Sequence, residues 1–315
     1  MVDLSYAVVK ASARKGGLLS YQQLVELASS RDLKDFVNRV KERYPALALS
    51  ATPTERELED LLLKSFTDEV DEFIEACPDA SAFLQLIKRE VEEVEAAELM
   101  KQYLESLGSE GQEGTPKKQS MEGVPHELSA RGFDQEVKEA RRIFEKYKVP
   151  GLVDSVFARY RIIKMLQAAK RFRVTGKIRG YLKLKVDVFN VATVLRGIRN
   201  GIDRKALEEV LIFDGGSLSK DSLKNVLKAA DEEKALKLLV EAGLPRVENA
   251  RALERAHELK IAKILTRMYY SNYISLGAIV GYLELKLREV RDLVRIANAV
   301  SRGLEPRRIA QDFIF

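Results

Sequence analysis

The chain has 315 residues, of which 46% are hydrophobic and 32% are charged, and its formal net charge is +5. This hydrophobic share is enough for packed cores, and sparse glycine and proline beside abundant leucine, alanine, glutamate, lysine and arginine predict an all-α fold. The single cysteine excludes an intrachain disulfide and fits a reducing compartment, no apolar run approaches the roughly 18 residues of a membrane-spanning helix, and the first residues lack a signal-peptide core.

The first 50 residues are predicted to form short helices. One set of residues is spaced as the buried stripe of a first helix: Tyr6, Val9 and Ala13. After two glycines, Ser20 is positioned to cap a helix over residues 21–28. A further helix is predicted over residues 32–44, with Ser30 or Asp32 as its cap, and Pro45 ends it.

Two longer helices follow, over residues 54–76 and 80–107, separated by Pro78. The first opens with a capping-box pattern. Acidic residues dominate this part of the chain, and they are expected to form a solvated outer face that includes Glu92 and Glu93. The inward face of the second helix is predicted to hold Phe83, Ile87, Val91, Val94, Ala97 and Leu104.

Residues 108–132 are polar, rich in glycine, serine and proline, and almost without periodicity, which predicts a mobile linker or loop. Helices resume over residues 133–148 and 152–172. Between residues 159 and 199, basic residues stand against Asp187 alone. This contrast with the acidic stretch predicts a directed field and an acidic partner, or two blocks that partly face each other or lie on solvated helix faces.

A long apolar stripe organises residues 180–211, which are predicted to form one continuous helix. The stripe consists of Leu184, Val188, Val191, Leu195, Ile198 and Ile202. Asn190, Thr193, Arg196 and Arg199 fall off the stripe. They are therefore the positions on this helix where a partner would be met.

The chain repeats itself in two ways. Residues 281–315 repeat the long stretch, since both copies open with Gly-Tyr-Leu and the second copy contains one extra residue. The short-helix pair is repeated as well: at one constant offset, Leu24, Leu27, Val37 and Val40 correspond to Leu223, Val226, Leu236 and Leu239, and Asp32 falls opposite Asp231. Two repeats predict helical modules that bury each other's faces.

No catalytic constellation is evident in the sequence. His126 and His257 are the only histidines, and with one cysteine they provide no zinc pattern. The glycines of residues 176–180 lack the spacing of a phosphate-binding loop and favour a turn between helices. We therefore expect no catalytic residue, no cofactor and no metal.

One pattern resembles a known family. Lys185-x-Asp187-x-x-Asn190-x-x-Thr193-x-x-Arg196 is similar to the signature of the C subunit of archaeal-type rotary ATPases, a family similar to the d subunit of the eukaryotic vacuolar ATPase. Further matches follow in order: Leu18-Leu19-x-Tyr21-x-x-Leu24, Asp214-Gly215-Gly216-x-Leu218, Tyr282-x-x-x-Lys286-x-x-Glu289-Val290-Arg291 and Gly303-Leu304-x-Pro306-x-x-Ile309. The resemblance covers nearly the whole chain except residues 108–132.

This resemblance implies an all-helical, funnel-like, pseudo-threefold body of three similar subdomains, over residues 1–107, 133–214 and 215–315, with 108–132 as the linker. It also implies a non-catalytic adaptor between the central stalk of the soluble head and the membrane rotor ring. Such an adaptor passes torque during ATP synthesis or ATP-driven proton or sodium transport. It would be peripheral, at the cytoplasmic face of the cell membrane.

Contact with the stalk or the ring is predicted for six basic residues: Arg171, Arg173, Lys177, Arg179, Arg196 and Arg199. At Asp292 the chain departs from the family, which usually has asparagine there.

Several of these polar residues also have purely structural interpretations. Asn190 and Thr193 are expected to bond neighbouring backbone rather than a partner. Asp187 could pair with Lys183 across one turn. Three tyrosines are expected in the core rather than on a contact surface: Tyr269, Tyr270 and Tyr273.

Two other functions fit parts of the sequence. A helical nucleic-acid-binding protein could use the basic residues of 159–199, where Phe172 and Tyr181 are interleaved for base stacking. A generic helical-repeat scaffold would explain the duplication alone. The adaptor hypothesis expects no nucleic acid.

Overall fold

The structure is a computed structural model, which describes residues 4–49, 53–108, 123–171, 176–270 and 275–305. These ranges contain α-helices and short 3-10 helices and no strand, so the predicted all-α class is confirmed. The helices are α1 (Ser5–Ala13), α2 (Tyr21–Ala28), α3 (Leu33–Val40), α4 (Glu55–Ala76), α5 (Ser81–Gly108), α6 (Val124–Ala130), α7 (Asp134–Tyr147), α8 (Val153–Arg171), α9 (Gly176–Arg199), α10 (Arg204–Val210), α11 (Lys220–Leu227), α12 (Glu232–Glu241), α13 (Ala250–Tyr269) and α14 (Leu276–Ser301). The 3-10 helices are Arg14–Gly17, Pro45–Leu49, Pro78–Ala80 and Pro150–Leu152.

The chain divides into two compact units. Unit 1 takes in Met1–Lys88, Val174–Ile178 and Glu258–Phe315, and unit 2 takes in Arg89–Arg173 and Arg179–His257, so far as these residues are described. The three predicted subdomains and their funnel-like arrangement stay a prediction.

Unit 1 is built on α14. Most of the 26 residues of this helix are buried, and it packs against α1, α2, α3 and α4. Gly281 allows α13 to approach closely, because a Cβ atom at this position would lie 2.8 Å from the backbone nitrogen of Tyr269 and 2.9 Å from the carbonyl oxygen of Leu265. The described part of unit 1 therefore surrounds one buried helix.

Unit 2 holds one large hydrophobic cluster that runs from Ala96 to Leu253 along the chain. Helix α7 packs against α6 and α8, and α11 packs against α10 and α12. Helix α6 lies within the stretch predicted to be a linker, of which residues 109–122 are outside the described chain. The limits of the linker stay a prediction.

The predicted helix starts are confirmed at several caps. The Ser20 hydroxyl accepts from the backbone N–H of Gln23, and Asp32 and Thr54 cap α3 and α4 in the same way. Helix α3 ends at Val40, however, before the predicted end at residue 44. The local capping chemistry was thus a reliable guide to where helices begin.

The duplicated short-helix pair is present in both units. Ser219 caps α11 as Ser20 caps α2, and Asp231 caps α12 as Asp32 caps α3. The eight apolar residues predicted to correspond are all buried: Leu24, Leu27, Val37, Val40, Leu223, Val226, Leu236 and Leu239. Each pair therefore presents the same apolar face to its own unit.

The stripe predicted for α1 is on the wrong side of the helix. Tyr6 is 68% exposed and Val9 is 64% exposed, and Ala13 is exposed too. The buried face consists of Ala7, Val8 and Ala11. Small residues suit this face because α1 packs against both α14 and α4, and large side chains are left outside.

Four of the six residues predicted to face inward on α5 are buried: Phe83, Ile87, Ala97 and Leu104. Val94 is 64% exposed, whereas Glu90 and Glu93 are buried. The expectation that the acidic face of this helix, including Glu93, is solvated throughout is therefore wrong. The physical reason is that cations from two other helices meet these carboxylates inside unit 2, as described below.

The single long helix predicted over residues 180–211 is broken. Helix α9 ends at Arg199, Gly201 adopts the left-handed region at a φ of 66°, and the side chain of Asp203 caps α10. Glycine suits this conformation because it has no Cβ atom. The stripe itself holds, since Leu184, Val191, Leu195 and Ile198 are buried.

Three tyrosines near the end of α13 are expected in the core. Tyr269 is buried as expected, Tyr270 is exposed, and Tyr273 lies outside the described residues. Cys77 is 1% exposed and follows the last residue of α4. Among the helices that the structure describes, none is both long enough and apolar enough to cross a bilayer.

Candidate interaction surface and buried polar networks

The six basic residues predicted to meet a partner differ in their ion pairs, and one of them lies outside the described residues. Arg171 ends α8 and Lys177 lies in the first turn of α9, and both are exposed and form no ion pair with any described residue. Arg179 is exposed and takes part in an interaction, so it is not a free cation. Arg173 lies outside the described residues. The contact with stalk or ring stays a prediction for all of them.

Arg196 and Arg199 lie on the last turn of α9 and reach acidic residues of unit 2. Arg196 Nη2 is 3.1 Å from Glu254 Oε1. Arg199 forms a two-bond pair with Glu232, at 2.7 Å from Nε and 2.9 Å from Nη2. These hydrogen bonds raise the pKa of Arg199 and lower the pKa of Glu232. Both arginines remain largely exposed.

A groove of about 310 Å³ opens beside Arg196. It lies between the start of α8 and the second half of α9. Small residues form much of its lining, and Phe189 and Ile202 are partly buried there. Thr193, Arg196, Asn200, Ser155 and Asp154 are its polar residues. The groove is therefore a mixed surface, apolar in its floor and charged at its edge.

Two residues of the signature bind the backbone of unit 2. The Asn190 amide donates to the carbonyl oxygen of Ile212 at 2.7 Å and accepts from the N–H of the same residue at 2.9 Å. Asp187 accepts from the backbone N–H groups of Ser217 and Leu218, not from Lys183. The alternative that Asp187 pairs with Lys183 is thus wrong, and the structural interpretation of Asn190 is confirmed.

A buried charge cluster joins α5, α8 and α9 within unit 2. Arg161 donates from Nη1 to Glu90 at 2.6 Å and from Nε to Glu93 at 2.8 Å. Lys185, the first residue of the signature, donates to the same oxygen of Glu90 at 2.5 Å and to the hydroxyl of Tyr181 at 2.9 Å. Burial raises the pKa of Glu93, although the neighbouring Arg161 lowers it.

The buried charge cluster explains why two acidic residues of α5 are not on a solvated face. Glu90 and Glu93 face inward because Arg161 and Lys185 supply the opposite charge. A base-stacking role for Tyr181 loses its premise, because this ring is 1% exposed. Phe172, the other aromatic residue of that alternative, lies outside the described residues.

In unit 1, a second buried network surrounds Glu289 of α14. Its carboxylate accepts from the Leu19 N–H at 2.5 Å, from the Tyr44 hydroxyl at 2.6 Å and from Lys286 Nζ at 2.7 Å. Lys286 also lies over the ring of Tyr44, at 4.5 Å from its centroid. Burial, and next the charge of Glu289, raise the pKa of Tyr44 well above its ordinary value.

A cavity of about 700 Å³ in unit 1 has Lys286 of this network among its lining residues. At one wall, Glu69 accepts from Arg14 at 2.6 Å and from the Tyr282 hydroxyl at 2.5 Å. Arg14 also pairs with Glu72 at 2.6 Å. Four cations and three carboxylates are among the residues that line this cavity. In the described chain, no group of three or more His, Cys, Asp or Glu residues could hold a metal ion.

The chain is similar to one known family along almost its whole length. The family described as ATP synthase (C/AC39) subunit matches residues 7–312. Curated relatives include the C subunit of the A-type ATP synthase of Thermococcus kodakarensis, 26% identical over 348 aligned positions that cover 98% of this chain and 90% of the relative. The proteins of the same name from Pyrococcus furiosus and Thermococcus gammatolerans are 22% and 24% identical, with 98% of this chain and 89% and 88% of the relatives covered.

These matches confirm the resemblance drawn from the signature on α9 and from the motif on α14. The signature residues Lys185, Asp187 and Asn190 act inside unit 2, and Thr193 and Arg196 line the groove. Since the family match spans both units and nearly every described helix, the chain belongs to the ATP synthase (C/AC39) subunit family.

Proposed function

We propose that the protein is a non-catalytic adaptor of an A-type or V-type rotary ATPase, which couples the central stalk of the soluble head to the membrane rotor ring. The observation that carries the proposal is the family match over residues 7–312, together with relatives named as the C subunit of A-type ATP synthases. The coupling serves ATP synthesis or ATP-driven transport of protons or sodium ions. The adaptor would be peripheral, at the cytoplasmic face of the cell membrane.

The internal construction of each unit supports a role in transmitting torque. Unit 1 surrounds one buried helix of 26 residues, and unit 2 ties three helices together through Arg161 and Lys185. Close-packed cores have low compressibility, so they pass on a displacement rather than absorb it. A buried polar network with all its bonds made adds rigidity.

The test of the adaptor role is a pull-down of the tagged chain from native membranes, scored for the subunits of the ATPase head and ring. We expect both sets to be recovered with it. Recovery of the chain without any ATPase subunit, together with a salt-sensitive gel shift on generic nucleic acid, would refute the adaptor role and favour the nucleic-acid alternative.

For the partner surface, we propose Arg196 and Arg199 of unit 2, together with the groove at Arg196. Partner contact is proposed separately for the other predicted cations: Arg171, Arg173, Lys177 and Arg179. Charge on such a surface mainly sets orientation and association rate, and its effect falls with added salt. The exposed side chains of Arg196 and Arg199 and the apolar residues of the groove fit a partner surface that is acidic around an apolar centre.

A charge swap separates partner contact from the ion pair inside unit 2. Arg199→Glu alone reverses the surface charge and also breaks the pair with Glu232, whereas Arg199→Glu with Glu232→Arg restores the pair. We expect both versions to weaken recovery of ATPase subunits at low salt. Lys237→Glu serves as the control, since Lys237 is an exposed cation of α12 that pairs with Glu233 and does not line the groove. If the double variant assembles as well as the unchanged chain, this surface does not meet the partner.

A further inference from the structure

In both copies of the repeat, a carboxylate on the long helix accepts a hydrogen bond from the backbone just before the short-helix pair. In unit 1, Glu289 of α14 accepts a hydrogen bond from the backbone N–H of Leu19, the residue just before the N-cap of α2. In unit 2, Asp187 of α9 accepts a hydrogen bond from the N–H of Leu218 at 3.2 Å, and Leu218 is the residue just before the N-cap of α11.

The positions agree with the repeats in the sequence. Leu19 and Leu218 correspond at the constant offset that relates the two short-helix pairs. Asp187 and Glu289 each precede the valine of their long-helix stripe, Val188 and Val290, once the one extra residue of the second copy is counted. The same carboxylate-to-backbone bond is therefore present twice, and the longer glutamate takes the place of aspartate in unit 1.

Each carboxylate has further donors that differ between the units. Glu289 is completely buried and also accepts from Tyr44 and Lys286. Asp187 accepts from the backbone N–H of Ser217 at 2.7 Å and from its hydroxyl. Beside Asp187, the chain passes so close that a Cβ atom at Gly216 would lie 2.5 Å from Oδ1. Any larger residue there would force the Asp187 carboxylate or the loop to shift.

We infer that Glu289 and Asp187 are equivalent latches, each of which locks a short-helix pair onto the long helix of its own unit. A carboxylate that accepts backbone N–H groups makes strong, charge-assisted bonds, and a negative charge beside the start of a helix is also favourable. With the latch closed, α2, α3 and α14 move as one body, and so do α11, α12 and α9. The inference does not depend on the proposed adaptor role.

Hydrogen exchange of the backbone amides, read by mass spectrometry on peptides around Leu19 and Leu218, tests the latches. Glu289→Gln removes the negative charge and puts an NH2 donor in place of one of the two acceptor oxygens, which weakens the bond to the Leu19 N–H and opposes the donors Tyr44 and Lys286. We therefore expect exchange around Leu19 to become about 10- to 100-fold faster. We expect Asp187→Asn to do the same around Leu218. In each variant, the corresponding peptide of the other unit should exchange at the unchanged rate.

Matched controls and milder variants keep the test decisive. Asp214→Asn neutralises an exposed carboxylate in the loop before α11 and should not change exchange at either latch. If Glu289→Gln or Asp187→Asn does not fold, Tyr44→Phe and Ser217→Ala each remove one donor and should give a smaller local increase. Unchanged exchange in these variants, or an equal increase across both units, would overturn the inference.

Discussion

Asp292 is the residue at which the chain departs from the asparagine usual in its family, and its surroundings make that departure consequential. The side chain is 4% exposed, and its closest cation is Arg295 Nη1 at 3.1 Å. Burial raises the pKa of Asp292 from its ordinary value of 3.8 to about 6, although Arg295 and Arg288 lower it. The folded protein therefore holds this proton more tightly than the unfolded chain does.

Asp292→Asn is expected to stabilise the protein at neutral pH. Because the pKa is higher in the folded state, the contribution of Asp292 to stability is complete below pH 3.8 and is lost as the pH rises through 6. One pKa unit corresponds to about 1.4 kcal/mol, so the gain at pH 8 should be on the order of 2–3 kcal/mol.

Urea unfolding of both proteins at pH 5 and pH 8 measures this difference. The advantage of the asparagine variant should be smaller at pH 5, because Asp292 is then largely protonated in the folded state. An advantage of the same size at both values would mean that the titration of Asp292 is not its cause.

Asn190→Ala should lower the free energy of unfolding by about 2–4 kcal/mol, because it leaves both the N–H and the carbonyl of Ile212 buried without a partner. Thermal or urea unfolding gives the number. Asn200→Ala, at the exposed end of the same helix, is the control and should stay within about 0.5 kcal/mol. Equal effects at the two positions would contradict the role given to Asn190.

At the scale of elements, the repeat-equivalent glycines Gly180 and Gly281 provide a matched pair. Both begin a Gly-Tyr-Leu sequence inside a long helix, but a Cβ atom at Gly180 would meet nothing within 4 Å, whereas one at Gly281 would press against backbone atoms of α13. The same substitution should therefore have opposite effects in the two copies.

Gly180→Ala should raise the free energy of unfolding by about 0.5–1 kcal/mol, since alanine loses less entropy in a helix. Gly281→Ala should lower it by about 1–3 kcal/mol, because the backbone of α13 must move away. Chemical unfolding of the two variants side by side checks the signs. Stabilisation by Gly281→Ala would mean that α13 and α14 are not in this close contact.

The elements also show which signals in the sequence could be trusted. Capping residues were predicted correctly at Ser20 and Thr54, and Asp32 was one of the two candidates for α3, because a cap depends on three or four neighbouring residues. The inward face of α1 was predicted wrongly, because which face is buried depends on the helices that pack there. Tyr6 and Val9 have the right spacing but lie outside.

On the scale of a whole unit, the Arg161 cluster should matter more than any ion pair on the surface. Arg161→Met removes the cation that the buried carboxylates Glu90 and Glu93 share, and we expect a loss of about 3–5 kcal/mol in the free energy of unfolding. Arg142→Met, on the surface of unit 2, is the control.

Arg142 also bridges two carboxylates, Glu139 and Glu209, but its side chain is 49% exposed. Its loss should cost no more than about 1 kcal/mol. Both values come from urea unfolding at the same pH and salt. If the two substitutions cost the same, burial of the Arg161 cluster does not set its contribution.

Across the whole molecule, the sequence predicted the helical class, the repeats and the family, because each leaves a mark that recurs along the chain. The buried polar networks could not be predicted from the sequence. Glu93 lies between Glu92 and an exposed Val94, and nothing local distinguishes it from a solvated acid. Its burial depends on Arg161, far away in the sequence, and that pairing exists only once α5 and α8 are folded together.

The single cysteine gives the protein a reporter of its own movements. Because Cys77 is almost fully shielded at the end of α4, a thiol reagent can reach it only when that end of unit 1 opens. The rate of modification under native conditions should therefore follow local opening. A cysteine introduced on the surface would meanwhile react at once, so that a fluorophore could be attached there while Cys77 remains unlabelled.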